Sequence, residues 1–323
     1  MKAKKLIPIF ALLLGLSSFA SCTPGDQALE LAPYWHKGAK VAYVELKEEL
    51  TYDVTFEKGS GLESVGYDLN YLNGKYTTKL EQKSDYTYEY TTTFSIDVIY
   101  TLDGQDPVTK TDSVTSKVRF EATTDNLKPI SSEKTIICHS PLLATDPEKV
   151  EDCYFGGKAL QYSVVTNYEE DGSKGTTVKT DLETKEAEEL SIKKSGKLSF
   201  FDNEQIPFVL RALSTEVTTA KVKTYSAFAE AMQTVAISFS KEAESAHTFE
   251  KLTVNGEAKQ NESFTYREAT MKIDAKNSGV TQTLYIATQE QDRNVILQMQ
   301  TPLSYSLGTL TYSLTSITRS EKQ

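Results

Sequence analysis

The chain has 323 residues, 35 Lys and Arg against 45 Asp and Glu, a formal net charge of −10, and 18 tyrosines beside 13 phenylalanines and one tryptophan. An acidic balance of this kind opposes non-specific binding to nucleic acid or to anionic lipid headgroups. The length admits one large all-β domain or two smaller ones.

Lys2, Lys4 and Lys5 open the chain, an apolar run follows from Leu6 to Leu16, and Ser17, Ser18, Phe19, Ala20 and Ser21 lead to Cys22. This is the layout of a secretory signal. Its apolar core, about 11 residues, falls short of the roughly 20 that a spanning helix needs. Phe19-Ala20-Ser21-Cys22 resembles the lipobox of bacterial lipoproteins, with Phe19 where leucine is usual. The resemblance implies cleavage before a lipidated Cys22 and attachment to a bacterial membrane outside the cytoplasm, on the periplasmic face or the cell surface, since two or more acyl chains anchor stably. Ordinary cleavage after Ala20 is the alternative. Without residues 1–22 the chain keeps 32 basic and 45 acidic residues, a net charge of −13. Residues 23–40 hold Pro24, Gly25, Pro33 and Gly38 without a period and read as a tether. Residues 41–319 read as one large β-rich domain, with a subdivision near 140–158 left open.

Strand signals dominate that domain. Tyr86, Tyr88, Tyr90, Thr92, Phe94, Ile96, Val98, Tyr100 and Leu102 share one face of an alternating run, and Thr87, Glu89, Thr91 and Asp97 the other. A run this long calls for twist, a bulge or a bend. The turn Asp103-Gly104-Gln105-Asp106-Pro107 sends the chain back through Val108–Ala122, with Val114, Val118 and Phe120 on a shared face. Val41–Phe56, Lys128–Cys138, Ala159–Tyr168 and Gly175–Leu182 are further strand candidates. The last third reads as a meander: Val235–Ser240, Ala246–Val254, Glu262–Ala275, Val280–Thr288, Asn294–Gln300 and Thr309–Ile317. Within it the apolar phase slips between Tyr266 and Ala269, which predicts a bulge.

Phe201–Leu213 reads as a short helix. Asp202 is its candidate N-cap, Pro207 falls within the first turn, and Ile206, Phe208, Val209, Leu210, Ala212 and Leu213 make it apolar around most of its circumference, hence enclosed. Ser226–Met232 fits either a helical turn or a strand running into Val235.

Cys138 and Cys153 are a candidate disulfide in an oxidising compartment, closing a loop of about 15 residues. A metal site built on Cys138, His139 and Cys153 lacks a fourth ligand and the usual spacing.

Leu50-Thr51-Tyr52-Asp53-Val54, Asp125-Asn126-Leu127-Lys128-Pro129, the helix ending in Leu210-Arg211-Ala212-Leu213, and Gly308-Thr309-Leu310-Thr311-Tyr312-Ser313-Leu314 resemble landmarks of a periplasmic domain-of-unknown-function family. Tyr285-Ile286-Ala287-Thr288 followed by Asn294 to Pro302 is similar to the paired strands that end such domains. The family looks like a distant relative of the LolA-like lipoprotein carriers with an unclosed β-barrel. The resemblance covers residues 41 to 319 and implies a strongly curved antiparallel sheet around one or two short helices, with an apolar concavity for acyl chains and no catalytic residues.

Catalytic patterns are weak. His36, His139 and His247 are the only imidazoles, no G-x-S-x-G elbow is present, and acidic pairs such as Glu48-Glu49, Glu169-Glu170 and Glu188-Glu189 read as solvated faces. No nucleotide, zinc or calcium motif occurs, so no metal or cofactor is expected. The expectation is a non-enzymatic binding module for a lipid or another apolar ligand, with Ile206, Phe208, Val209, Leu210, Tyr86, Tyr88, Tyr90 and Phe94 as the candidate apolar groove. The alternative is a structural or protein-interaction component of the cell envelope. Oligomeric state is left open.

Overall fold

The computed structural model describes residues 29–31, 46–60, 67–84, 86–102, 106–122, 127–139, 160–194, 196–227, 230–243, 245–274, 281–303 and 306–320. The expected signal segment and Cys22 lie outside them, as does Cys153. No helix among the described residues is long and apolar enough to cross a membrane.

Eight strands come first: β1 (Lys47–Lys58), β2 (Tyr67–Gln82), β3 (Thr87–Leu102), β4 (Val108–Ala122), β5 (Leu127–Cys138), β6 (Leu160–Tyr168), β7 (Lys174–Asp181) and β8 (Ala187–Lys193). A 3-10 turn (Asn203–Gln205) then runs into helix α1 (Ile206–Ala212). Next come β9 (Thr219–Ser226), β10 (Ala231–Glu242), β11 (His247–Val254) and β12 (Glu257–Phe264). The chain ends in β13 (Tyr266–Asp274), β14 (Thr281–Ala287), β15 (Ile296–Pro302) and β16 (Gly308–Ser320).

These strands form one sheet in the order β8-β7-β6-β5-β4-β3-β2-β1-β16-β15-β14-β13-β10-β9. The pairings along this path are antiparallel. The sheet curls into a nearly closed barrel, and the seam between β8 and β9 carries no ladder. Residues 199–201 line the β9 edge: Phe200 bridges Lys223 in parallel, and Phe201 N–H donates to the Lys223 carbonyl at 2.9 Å. The β11–β12 hairpin stands off this path and meets β16 in a short parallel contact at Thr253 and Val254.

Strict alternation explains the curl. In the ladder of β3 with β4, Tyr88 faces Phe120, Tyr90 faces Val118 and Phe94 faces Val114, and all six side chains are buried. A one-residue slip would turn every one of them to solvent, so the register is strongly specified. The next interior row is polar: Thr78, Thr92, Ser116 and Lys134 succeed one another across β2 to β5. Thr92 and Ser116 share a 2.7 Å hydroxyl hydrogen bond there.

The expected bend in the long tyrosine strand is met by its neighbour. β3 runs unbroken for 16 residues, while β2 bulges between Leu72 and Lys75. Asn73 adopts φ 54°, and a Cβ on Gly74 would come within 2.5 Å of the Val54 carbonyl oxygen.

Two other expectations are met in part. The phase slip near Tyr266 falls where β12 ends at Phe264 and β13 starts at Tyr266, and the bulge expected there is carried by the facing strand, between Phe239 and Glu242 of β10 opposite Ala269 and Arg267. Of the two readings of Ser226–Met232 the strand is the one observed: β9 runs to Ser226, β10 begins at Ala231 and continues through Val235, and no described residue of the segment is helical. The expected tether also touches the barrel: Leu31 is buried and bridges Leu213, and Ser214 N–H donates to the Glu30 carbonyl at 2.8 Å.

Helix α1 lies inside. Asp202 caps its entry, accepting from the Glu204 N–H at 2.8 Å, and Leu213 ends it with extended backbone. Seven residues are too few for a stable isolated helix, so burial against the sheet holds it. Phe208 packs in tilted contacts against Phe120 at 5.0 Å and Tyr90 at 5.7 Å between ring centroids.

Candidate functional site

One residue of α1 contradicts its apolar surroundings. Arg211 donates from Nη1 to Glu48 Oε1 at 2.6 Å, and both side chains are 1% exposed. The second carboxylate oxygen of Glu48 accepts from Arg319 Nε at 2.7 Å. The remaining donors of the two guanidinium groups go to four consecutive carbonyls of the β14–β15 connection. Arg319 reaches those of Gln291 and Asp292, and Arg211 those of Arg293 and Asn294, at 2.9 to 3.3 Å. Arg293 and Asn294 both have φ 51°, a region costly for side chains other than glycine, and the guanidinium contacts help hold them there. Asn294 returns the grip, donating to the carbonyls of Arg211 and Leu213 at 2.8 and 2.9 Å. Burial alone would raise the Glu48 carboxyl, but the two arginines hold it below its ordinary range.

A second polar cluster sits at the start of the helix. Asp202 accepts from the Ser132 and Tyr168 hydroxyls, each at 2.6 Å. Burial, and then the nearby Glu204 charge, raises the Asp202 carboxyl above its ordinary value. Glu204 in turn accepts from Lys134 Nζ at 2.8 Å and from Asn203 Nδ2 at 3.0 Å.

Between α1 and the arc β13–β14–β15–β16–β1–β2–β3 the lumen keeps a cavity of about 40 Å³. Its wall is apolar and aromatic, with Leu50, Leu284, Met271 and Met299 beside the rings of Tyr52, Tyr76, Tyr90 and Tyr312. The tyrosine oxygens are largely occupied. Tyr52 donates to the Ile296 carbonyl at 2.8 Å, and burial pushes the Tyr90 phenol up to about 12 against the pull of Arg211. The partly exposed members of the lining, Asn203, Glu204 and Pro207, mark the mouth at the N-terminal end of α1 beside Lys134. Gln282 is also in the wall and is 2% exposed.

Of the residues expected to form the groove, Leu210 and Tyr90 line this cavity. Ile206, Phe208, Val209, Tyr88 and Phe94 are buried in the packed core and not in the cavity wall. Tyr86 is the exception to the shared face: it precedes β3 and is 39% exposed, because the inward alternation starts at Tyr88. Cys138 is buried at the end of β5 with its thiol 3.7 Å from the Asp112 carboxylate, whose other oxygen accepts from the His139 N–H at 2.5 Å. The expected pairing with Cys153 falls outside the described residues.

Sequence reading missed the polar lining. Lys134 was detectable, since it falls in phase with the inward Ile136 and Cys138. Arg211 was the lone charge on an otherwise apolar helix, a signal of an internal partner. Gln282 and Met271 carried the same in-phase signal, Gln282 with Leu284 and Ile286 and Met271 with Ala269 and Ile273, but they line the cavity only because β13 and β14 come round to face α1.

No protein-family model matches the chain, and no curated protein matches its sequence. The fold is similar to the crystal structure of a β-barrel-like protein of the domain of unknown function DUF1849 from Brucella abortus. The TM-score is 0.51 at 10% sequence identity, over 87% of this chain and 99% of that one. At that identity the likeness concerns the fold alone. It agrees with the barrel-like, domain-of-unknown-function part of the sequence expectation.

Proposed function

We propose that the chain is a non-catalytic binding module that holds a lipid or another apolar ligand in the barrel lumen, displayed outside the cytoplasm by an acylated Cys22. The observation that carries this reading is the apolar and aromatic cavity beside α1, with its polar mouth at Asn203, Glu204 and Lys134. Small-molecule sites have this make-up, an apolar wall with few polar groups. The free volume exceeds the ~10–15 Å³ that one water requires and falls far below that of an acyl chain. Ligand entry therefore requires the wall to move, and the seam between β8 and β9 is where the barrel widens without breaking a ladder.

The small free volume also favours a second reading, a structural or protein-interaction component of the envelope whose lumen is simply core. Native mass spectrometry of the chain lacking residues 1–22, purified from a bacterial host, separates the two, together with displacement of a fluorescent fatty acid. A stoichiometric co-purifying lipid, or displacement at micromolar concentration, supports the binding module. Absence of both removes it and leaves the second reading.

A further inference from the structure

Of the buried side-chain atoms left without a hydrogen-bond partner among the described residues, Gln282 Oε1 alone belongs to a residue of the cavity wall. Its amide nitrogen is engaged, donating to Thr301 Oγ1 at 3.2 Å. Gln282 lies on β14, seven strands along the sheet from the Lys134 strand at the mouth. The mouth and this amide therefore belong to different arcs of the barrel.

A buried amide oxygen with no partner is costly, and a purely hydrocarbon occupant would seal the cost in by excluding water. The two amide orientations leave opposite requirements. With the oxygen free, the occupant must donate. With the amide turned over, Thr301 donates to the oxygen and the free NH₂ asks for an acceptor. A hydroxyl satisfies both cases, because it donates and accepts.

Resting on the binding-module reading, we infer that the lumen takes an amphiphile whose inserted end carries a hydroxyl, recognised by Gln282, and not a plain alkyl tail. The other polar end of such a ligand stays at the mouth beside Lys134 and Asn203.

Dodecanoate and 12-hydroxydodecanoate test this, because they share the carboxylate and the chain and differ only at the inserted end. In a plain apolar chamber the hydroxy acid binds more weakly, since its hydroxyl is desolvated without return. The inference expects the reverse: by competition against a fluorescent fatty acid, the chain lacking residues 1–22 prefers 12-hydroxydodecanoate by about tenfold. In Gln282→Met, which keeps length and loses the amide, the ratio of the two affinities changes and the preference disappears or inverts. Equal affinities, a preference for dodecanoate in the unsubstituted protein, or a preference that survives Gln282→Met each overturn the inference while leaving the binding module standing. Binding of neither probe overturns the inference, and the binding module falls with it only if no lipid co-purifies. Should Gln282→Met fail to fold, the ratio in the unsubstituted protein decides alone.

Discussion

Arg211, on the helix inside the barrel, and Glu48, near the start of the first strand, meet across 163 residues of sequence in a 2.6 Å charge-assisted hydrogen bond shielded from water. The pair joins the helix to β1, and through Arg319 it joins both to the end of β16.

Removing one partner of a buried pair and leaving the other charge uncompensated typically costs about 3–5 kcal/mol, and Arg319, still paired with Glu48, holds the loss on removing Arg211 at the lower end of that range. Arg211→Met is expected to destabilise the chain by that order in urea unfolding. The double substitution Arg211→Met with Glu48→Gln should be less destabilised than the sum of the single effects. Additive losses would show that the two side chains do not act as a unit.

The same pair sets an acid dependence. The folded Glu48 carboxyl is held below its ordinary value of 4.5, so the folded chain binds fewer protons than the unfolded chain between those two points. The stabilisation is full above 4.5 and is lost as pH falls through the folded value. The stability difference between the unsubstituted chain and Glu48→Gln should therefore be constant from neutral pH down to about 4.5 and shrink below it. A difference independent of pH down to 3 would refute the assignment. Asp202, whose carboxyl is raised, contributes with the opposite sign, favouring the fold as pH falls.

Phe208 and Tyr86 are both aromatic and were expected on the same groove. Phe208→Ala removes a fully enclosed ring and should cost about 3–5 kcal/mol. Tyr86→Ala, on an exposed ring, should cost less than about 1 kcal/mol. Equal losses in denaturant titrations would contradict the placement of α1 inside the barrel.

Gly308 opens β16 at φ 148°, and a Cβ there would lie 2.2 Å from the Glu57 carbonyl oxygen and 2.4 Å from the Phe56 ring. Gly308→Ala is expected to destabilise by roughly 1–3 kcal/mol. The first effect should be faster amide exchange where Lys58 pairs with Gly308 at the β1–β16 end. Unchanged exchange there would show that the joint relaxes freely.

Cys22→Ser tests the anchor, and the soluble fraction should then contain the protein in a bacterial host. Unchanged membrane fractionation would remove the acylated-cysteine reading.

The chain by itself determined the class of fold, because alternation is local: a run such as Tyr88 to Tyr100 shows which face is buried whatever it packs against. Asp202, Pro207 and the apolar residues after them likewise marked an enclosed helix, and the structure has one. At Asn73-Gly74 residues typical of a turn make a bulge within β2, which pairs with β1 on one side and β3 on the other. What only the tertiary structure decided is which interior residues surround empty space and which meet each other. Glu48 was indistinguishable from the solvated Glu49 beside it until β1 took its register, and Gln282 became part of a cavity wall only when the sheet curled back on α1. Burial of a polar group depends on distant strands arriving at the same place, and no short window of sequence carries that distance.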